Sequence, residues 1–181
     1  DMLRGMYRVD LRSNDIRIIY NEEKLYFEEP EVYEEKIENG ETVRWEDDSI
    51  KFEIELNERK YHVTGKVAIR KRASTREAGF TLIRRGRVII GGYDNNYRPQ
   101  EIFGNSNSFE YQRLFGELHM DDWPVVQTKD NFDWNNGLED LFIDKLSEKT
   151  KDYVRKAKNI RVRKRYDTAQ SVSKMVKSFE K

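Results

Sequence analysis

Ile50-Lys51-Phe52-Glu53-Ile54-Glu55-Leu56-Asn57-Glu58-Arg59-Lys60-Tyr61-His62-Val63 is the stretch that decides the fold of this 181-residue chain. Apolar and charged residues alternate from Ile50 to Leu56, the period-two pattern of a strand with one buried face. Asn57 to Lys60 supplies a polar turn, and Tyr61 to Ile69 returns as the second strand of a hairpin. Downstream, Gly79 to Ile83 is a strand, Arg84-Arg85-Gly86-Arg87 is a tight basic turn in which glycine accepts positive φ, and Val88 to Ile90 runs back. Arg70 to Ala78 is a basic loop between the two hairpins. Upstream, Ile16 to Tyr20 and Leu25 to Phe27 read as a hairpin about Asn21–Lys24, after a short helix carrying Leu3, Met6, Tyr7 and Val9.

The remaining elements follow from the same patterns. Pro30 to Asp48 reads as an irregular connection with one short strand, turning at Asn39-Gly40. Tyr93 to Ser108 is loop-like, Phe109 to Met120 is a long strand, and Asp121 to Asn136 is a second loop. Leu138, Leu141, Phe142, Leu146 and Tyr153 have helical spacing and predict a helix from Gly137 to about Lys158. A second helix, about Asp167 to Phe179, carries Val172, Met175, Val176 and Phe179, a stripe that could dock on the sheet, a second copy or another domain. The sum is an α+β chain: a mixed sheet of hairpins with C-terminal helices.

Composition narrows the classes. Charged residues make up 38% of the chain and hydrophobic ones 36%, against about 25% charged in ordinary globular domains, which predicts a thin, well-solvated fold or extended helices. The absence of cysteine excludes a disulfide scaffold, a Cys-ligated zinc site and a thiol nucleophile. No apolar run approaches the roughly 18–20 residues of a membrane span, and the first residues lack a signal-peptide layout. The expectation is a cytoplasmic protein without a membrane partner. The chain opens on Asp1 with helix-like residues at once, which reads as a piece of a longer protein.

Net charge is zero, but the charge lies in blocks. Asn21 to Glu55 holds fourteen acids and four bases, Glu58 to Arg87 ten bases and two acids, and Lys151 to Lys181 eleven bases and three acids. The first two blocks are placed to neutralise one another. The third has no acidic neighbour in sequence and suits a polyanion. A DNA- or RNA-binding module would use Arg70-Lys71-Arg72, then Arg84, Arg85 and Arg87, and finally Lys151 to Arg165, including Arg163, Lys164 and Arg165, with Tyr153 and Tyr166 interleaved.

Chemistry is sparse. The two histidines, His62 and His119, both fall within strands, so no metal ligand set is expected. No phosphate-cradling glycine motif, nucleophile elbow or zinc-helix motif occurs, and the chain does not read as a self-contained enzyme. The most informative segment is Leu118 to Trp134, a strand that runs into a loop presenting Gln127-Thr128-Lys129 and closed by Phe132 and Trp134. Two aromatic anchors can hold one lysine in place, and a lysine ammonium suits a terminal phosphate. Taken by spacing alone, Lys129 reads first as an exposed loop lysine.

Gly116-Glu117-Leu118-His119-Met120 followed by Val126-Gln127-Thr128-Lys129-Asp130-Asn131-Phe132 resembles the transducer, or middle, domain of the gyrase B/Hsp90/MutL (GHKL) ATPases. The Gln-Thr-Lys of type II topoisomerases stands here as Gln127-Thr128-Lys129. Lys129, Asp130 and Phe132 are similar to the Lys-acid-Phe pattern of microrchidia-type ATPases and their bacterial relatives. Gly79 to Ile89 resembles the hairpin of the same group, and Arg98 to Gly104 and Arg113 to Gly116 resemble bacterial Hsp90-like ATPases. The likeness spans Leu3 to Leu146. The Pro30–Asp48 segment and the tail after Tyr153 have no counterpart in it.

The resemblance implies a ribosomal-protein-S5-like transducer over residues 1–150; beyond it, residues 151–181 read from their charge and spacing as a basic helical extension. It implies that Lys129 is the catalytic residue, touching the γ-phosphate of ATP, with Gln127 and Thr128 beside it at the nucleotide. The glutamate–asparagine helix, the Asp-x-Gly-x-Gly and the glycine-rich lid of the family's ATP site are not in this sequence. ATP and Mg2+ are therefore implied for the parent protein, held by an N-terminal ATP-binding domain that would be the chief partner, with a homodimer as a further assembly. The fragment alone would bind no cofactor.

Overall fold

The computed structural model describes residues 2–92 and 95–179, and side chains through Ile160. Two short helices, α1 (Met2–Met6) and α2 (Arg8–Ser13), lead into two small hairpins, β1 (Ile19–Tyr20) with β2 (Glu23–Lys24) and β3 (Glu34–Lys36) with β4 (Thr42–Arg44). The main sheet is built from β5 (Glu46–Leu56), β6 (Arg59–Ile69), β7 (Gly79–Arg84), β8 (Arg87–Ile90) and β9 (Leu114–His119). Helices α3 (Gln100–Phe103) and α4 (Phe109–Arg113) lie between β8 and β9, and α5 (Leu138–Phe179) ends the described chain.

The strand order is β5-β6-β9-β7-β8. The two long hairpins sit on either side of β9, which pairs antiparallel with β6 and parallel with β7. The expected alternation is realised: Ile50, Phe52, Ile54, Tyr61 and Val63 are buried while Lys51, Glu53, Lys60 and His62 are exposed. Phe52 stands opposite Val63 and Ile54 opposite Tyr61. β9 fits between its neighbours because Gly116 has no side chain: a Cβ there would lie 2.1 Å from the Lys66 carbonyl oxygen and 3.0 Å from the Phe80 ring.

One face of the sheet carries the main core, where Phe52, Val63, Phe80, Leu82, Leu114 and Leu118 meet Leu138, Phe142 and Leu146 of α5 and Ile102 and Phe103 of α3. The other face is covered by the N-terminal segment. There Val32, Ala68 and Phe115 cluster, and Arg8 and Arg12 reach Glu117.

Several local expectations are corrected. Phe109–Met120 is not one strand: residues 109–113 are helix α4 and only Leu114–His119 is strand. The alternating aromatics Phe109 and Tyr111 mimic a strand, but Ser108 caps a helix. Its hydroxyl accepts from Tyr111 N at 3.3 Å and donates to Phe103 O at 2.8 Å, with Glu110 in the first turn. The Tyr93–Ser108 stretch contains helix α3, which starts after Pro99 and stops at Gly104 with φ 60°, a Pro-to-Gly bracket that was readable in the sequence.

The acidic Pro30–Asp48 stretch holds a two-stranded hairpin around Asn39-Gly40, where a single short strand was expected. The first hairpin is shorter than expected. Asn21 and Glu22 both have positive φ and turn the chain in two residues, leaving Leu25–Phe27 outside any strand. The two C-terminal helices are one, α5, since no Gly or Pro interrupts residues 138–179. Residue 150 lies inside that helix, which stays against the body through Ala157 and Ile160. The stripe Val172, Met175, Val176 and Phe179 lies outside the described side chains, as do Arg163, Lys164, Arg165 and Tyr166.

Candidate functional site

The parallel pairing of β7 with β9 carries the chain ends of both strands to one edge of the fold. Residues 120–137 leave β9 there, beside the β7–β8 turn and the start of β6. Three braces fix the root of this loop. Met120 N donates to Ile83 O at 2.8 Å, Arg84 Nε to Trp123 O at 2.8 Å, and Arg85 N to an Asp121 carboxylate oxygen at 2.5 Å. From β6, His62 N donates to Asp122 at 3.1 Å, and His62 Nδ1 lies 2.7 Å from the same carboxylate. Trp123 Nε1 donates back to His62 O at 2.9 Å.

Beyond the root the loop folds into a miniature hairpin. Val125 bridges Phe132, Asp133 N donates to Pro124 O at 2.9 Å, and Val126 N donates to Asn131 O at 3.1 Å. Asn131 ties both sides together, its Oδ1 accepting from Phe132 N at 2.8 Å and Trp134 Nε1 at 3.3 Å. Trp123 and Phe132 are buried, and the loop rests on a cluster of rings. Trp134 stacks on Tyr97 with centroids 5.9 Å apart, and Phe142 lies 5.3 Å from Trp123 and 5.5 Å from Trp134. Burial pushes the Tyr97 phenol well above its ordinary range, and the Glu139 carboxylate 2.9 Å away adds to the shift. Tyr97 therefore stays a neutral donor that pins the ring stack to the first turn of α5.

Gln127, Thr128 and Lys129 form the exposed tip. Lys129 N donates to Val126 O at 2.9 Å, closing a turn, and Thr128 donates its hydroxyl to Asp130. Lys129 has φ 59°, a conformation that costs a side-chain-bearing residue about 1–2 kcal/mol and tends to occur at functional positions. Its ammonium makes no ion pair among the described residues. The tip is thus an uncommitted positive charge on a braced support, able to meet an anion approaching from outside.

The expected anchors Phe132 and Trp134 are both in the support. Sequence reasoning missed Trp123, Tyr97 and Asn131, although Trp123 next to Pro124 was a visible signal of a buried, bent root. The structure brings the Arg84–Arg87 turn to the root of the Lys129 loop. Arg84 is half-buried and bonded to the Trp123 carbonyl, whereas Arg85 and Arg87 are exposed. The Arg70-Lys71-Arg72 run lies at the opposite end of the sheet and meets carboxylates there: Arg70 pairs with Glu77 of its own block, and Lys71 and Arg72 lie 3.7 and 3.8 Å from Glu31 of the acidic block. Arg163, Lys164 and Arg165 continue α5 beyond the described side chains.

Among the described residues no group of three His, Asp or Glu side chains is placed to hold a metal. No described helix is long and apolar enough to cross a membrane. The chain matches no protein-family model and no curated protein.

Proposed function

We propose that this chain is the S5-like transducer domain of a GHKL ATPase, and that Lys129 contacts the γ-phosphate of ATP held by a separate nucleotide-binding domain. The observation that carries the reading is an exposed Lys129, without an ion pair among the described residues, on a braced support of Trp123, Phe132 and Trp134. A sensor has to offer its charge to a neighbouring domain without losing position, and a braced loop tip does that at little cost in ordering. Nucleotide and Mg2+ supply the phosphate chemistry; this chain supplies one preorganised cation. Gln127 and Thr128 lie beside it at the nucleotide, Gln127 supporting the loop or a phosphate oxygen.

The strand that feeds the loop, β9, is central in the sheet, and the helix that leaves it, α5, is the longest element of the chain. A change in what Lys129 touches therefore moves a rigid unit, which is how a transducer turns hydrolysis into rotation against its partner domain or second protomer. Lys129→Ala in the intact ATPase tests the reading. ATP turnover falls by at least about 100-fold, the size of losing one preorganised donor, while nucleotide still binds. Unchanged turnover contradicts it.

A second reading is nucleic-acid binding. It is favoured by one feature: Lys151, Arg155 and Lys158 of α5 line a shared groove of about 340 Å³ with α3, and Arg163, Lys164 and Arg165 follow later in the same helix. Binding of DNA or RNA whose affinity falls steeply with salt supports it, and no retardation at low salt removes it.

A further inference from the structure

Helix α5 is clasped to the body at one point far from the Lys129 loop. Lys156 is enclosed there, with only 17% of its side chain exposed. Its ammonium lies 4.9 Å from the centre of the Trp45 ring and 6.0 Å from that of Tyr33, and it pairs with the Glu35 carboxylate, which is 9% exposed. Tyr153, one turn earlier on the helix, meets Trp45 edge-on with centroids 5.7 Å apart and an interplanar angle of 83°. Burial pushes the Tyr153 phenol up to about 12. Trp45 is set by these ring contacts and the backbone, since its indole N–H is buried without an acceptor.

The cage walls come from the stretch whose acidic run has no counterpart in the resemblance above. Tyr33 and Trp45 flank the β3–β4 hairpin, and Glu35 sits within it. The hairpin strands are otherwise largely exposed. They are fixed to the sheet through Tyr33 N donating to Ile69 O at 2.7 Å and Ile69 N donating to Trp45 O at 3.0 Å. Beneath the cage, Ala157 and Ile160 pack on Ile69, the last described side-chain contacts that hold α5 to the body.

We propose that Tyr33, Trp45 and Glu35 form a receptor for a primary alkylammonium group, filled in cis by Lys156. Two aromatic faces attract a cation through their quadrupoles, more strongly once it is shielded from water. The carboxylate adds an acceptor that only a nitrogen bearing hydrogens can use. The site therefore selects a primary ammonium over both a neutral group of the same shape and a quaternary ammonium. Lys156 is its tethered occupant, and occupancy sets where α5 stays docked.

The test removes the occupant and offers a free one. Lys156→Ala in the full chain leaves a gap the size of n-propylammonium, and the Trp45 indole N–H resonance reports its filling. The expected result is saturable binding of n-propylammonium at least about tenfold tighter than 1-propanol or tetramethylammonium. Equal affinity for all three overturns the proposal. Should Lys156→Ala fail to fold, Glu35→Gln in the otherwise unchanged chain serves. It speeds amide exchange across residues 153–160 by about tenfold and leaves β9 unaltered, and unchanged exchange at 153–160 overturns the proposal.

Discussion

Arg12 grips Glu117 through two hydrogen bonds of 2.9 Å, one to each carboxylate oxygen. Arg8 reaches the same carboxylate at 3.4 Å and Thr81 at 2.8 Å. Phe27 lies under both guanidinium groups at 5.1 and 5.2 Å. This link straps the N-terminal helices to the central strand that feeds the Lys129 loop. Glu117 is 8% exposed, while Arg12 keeps 37% of its side chain in water. Removing the carboxylate by Glu117→Ala therefore costs about 2–3 kcal/mol, less than the 3–5 of a fully buried pair. Chemical denaturation of the variant measures it, and a loss below about 0.5 kcal/mol would show the strap to be ornamental.

The same pair dictates a pH dependence. Burial alone would raise the Glu117 pKa, but the hydrogen bond and charge of Arg12, with Arg8 and Lys66, outweigh it and hold the carboxyl below its ordinary 4.5. A group with a depressed folded pKa stabilises the fold fully above its unfolded value, and that stability is lost as pH falls through the folded one. Stability is thus insensitive to Glu117 above about pH 5 and drops below 4.5. Glu117→Gln flattens part of that acid limb in a stability-against-pH series, and identical limbs would refute the assignment.

Gly116→Ala is expected to destabilise the chain by about 3 kcal/mol, because its Cβ would lie 2.1 Å from Lys66 O in a strand paired on both sides. Thermal unfolding reads the loss. A neutral substitution would mean that β9 does not run between β6 and β7 as described.

The loop support has a test of its own. Asn131→Ala removes the acceptor shared by Phe132 N and Trp134 Nε1, costing roughly 1 kcal/mol and speeding amide exchange in residues 126–132. The backbone of Lys129 offers a complementary reading. Lys129→Gly and Lys129→Ala both remove the charge, but only glycine relieves the positive φ, so the glycine variant is the more stable of the two by about 1 kcal/mol. The reverse order would contradict the left-handed turn at the tip.

The alternation in Ile50–Val63 was enough to read the central hairpin, because a strand with one solvated face writes its period into the residues. The Phe132 and Trp134 anchors were legible for a similar reason, as large rings next to a polar tip. What misled was local competition. Phe109-Glu110-Tyr111 has strand composition, and its helix follows from a single serine cap and from Glu110 lying buried 3.5 Å from Lys158. The charge blocks were legible as blocks but not as pairs: Glu35 and Lys156 lie 121 positions apart, and only the sheet topology brings them together. The place of β9 between the two hairpins was not readable either, since no local signal states which strands a returning segment will separate.

Under the proposed function, Lys129 touches the γ-phosphate of bound ATP. Hydrogen exchange across residues 126–131 of the intact protein, with a non-hydrolysable ATP analogue and then with ADP, tests this contact. Slowed exchange in this segment with the ATP analogue and free exchange with ADP are expected, the difference vanishing in Lys129→Ala. Equal exchange in the two nucleotide states of the unaltered protein would contradict it.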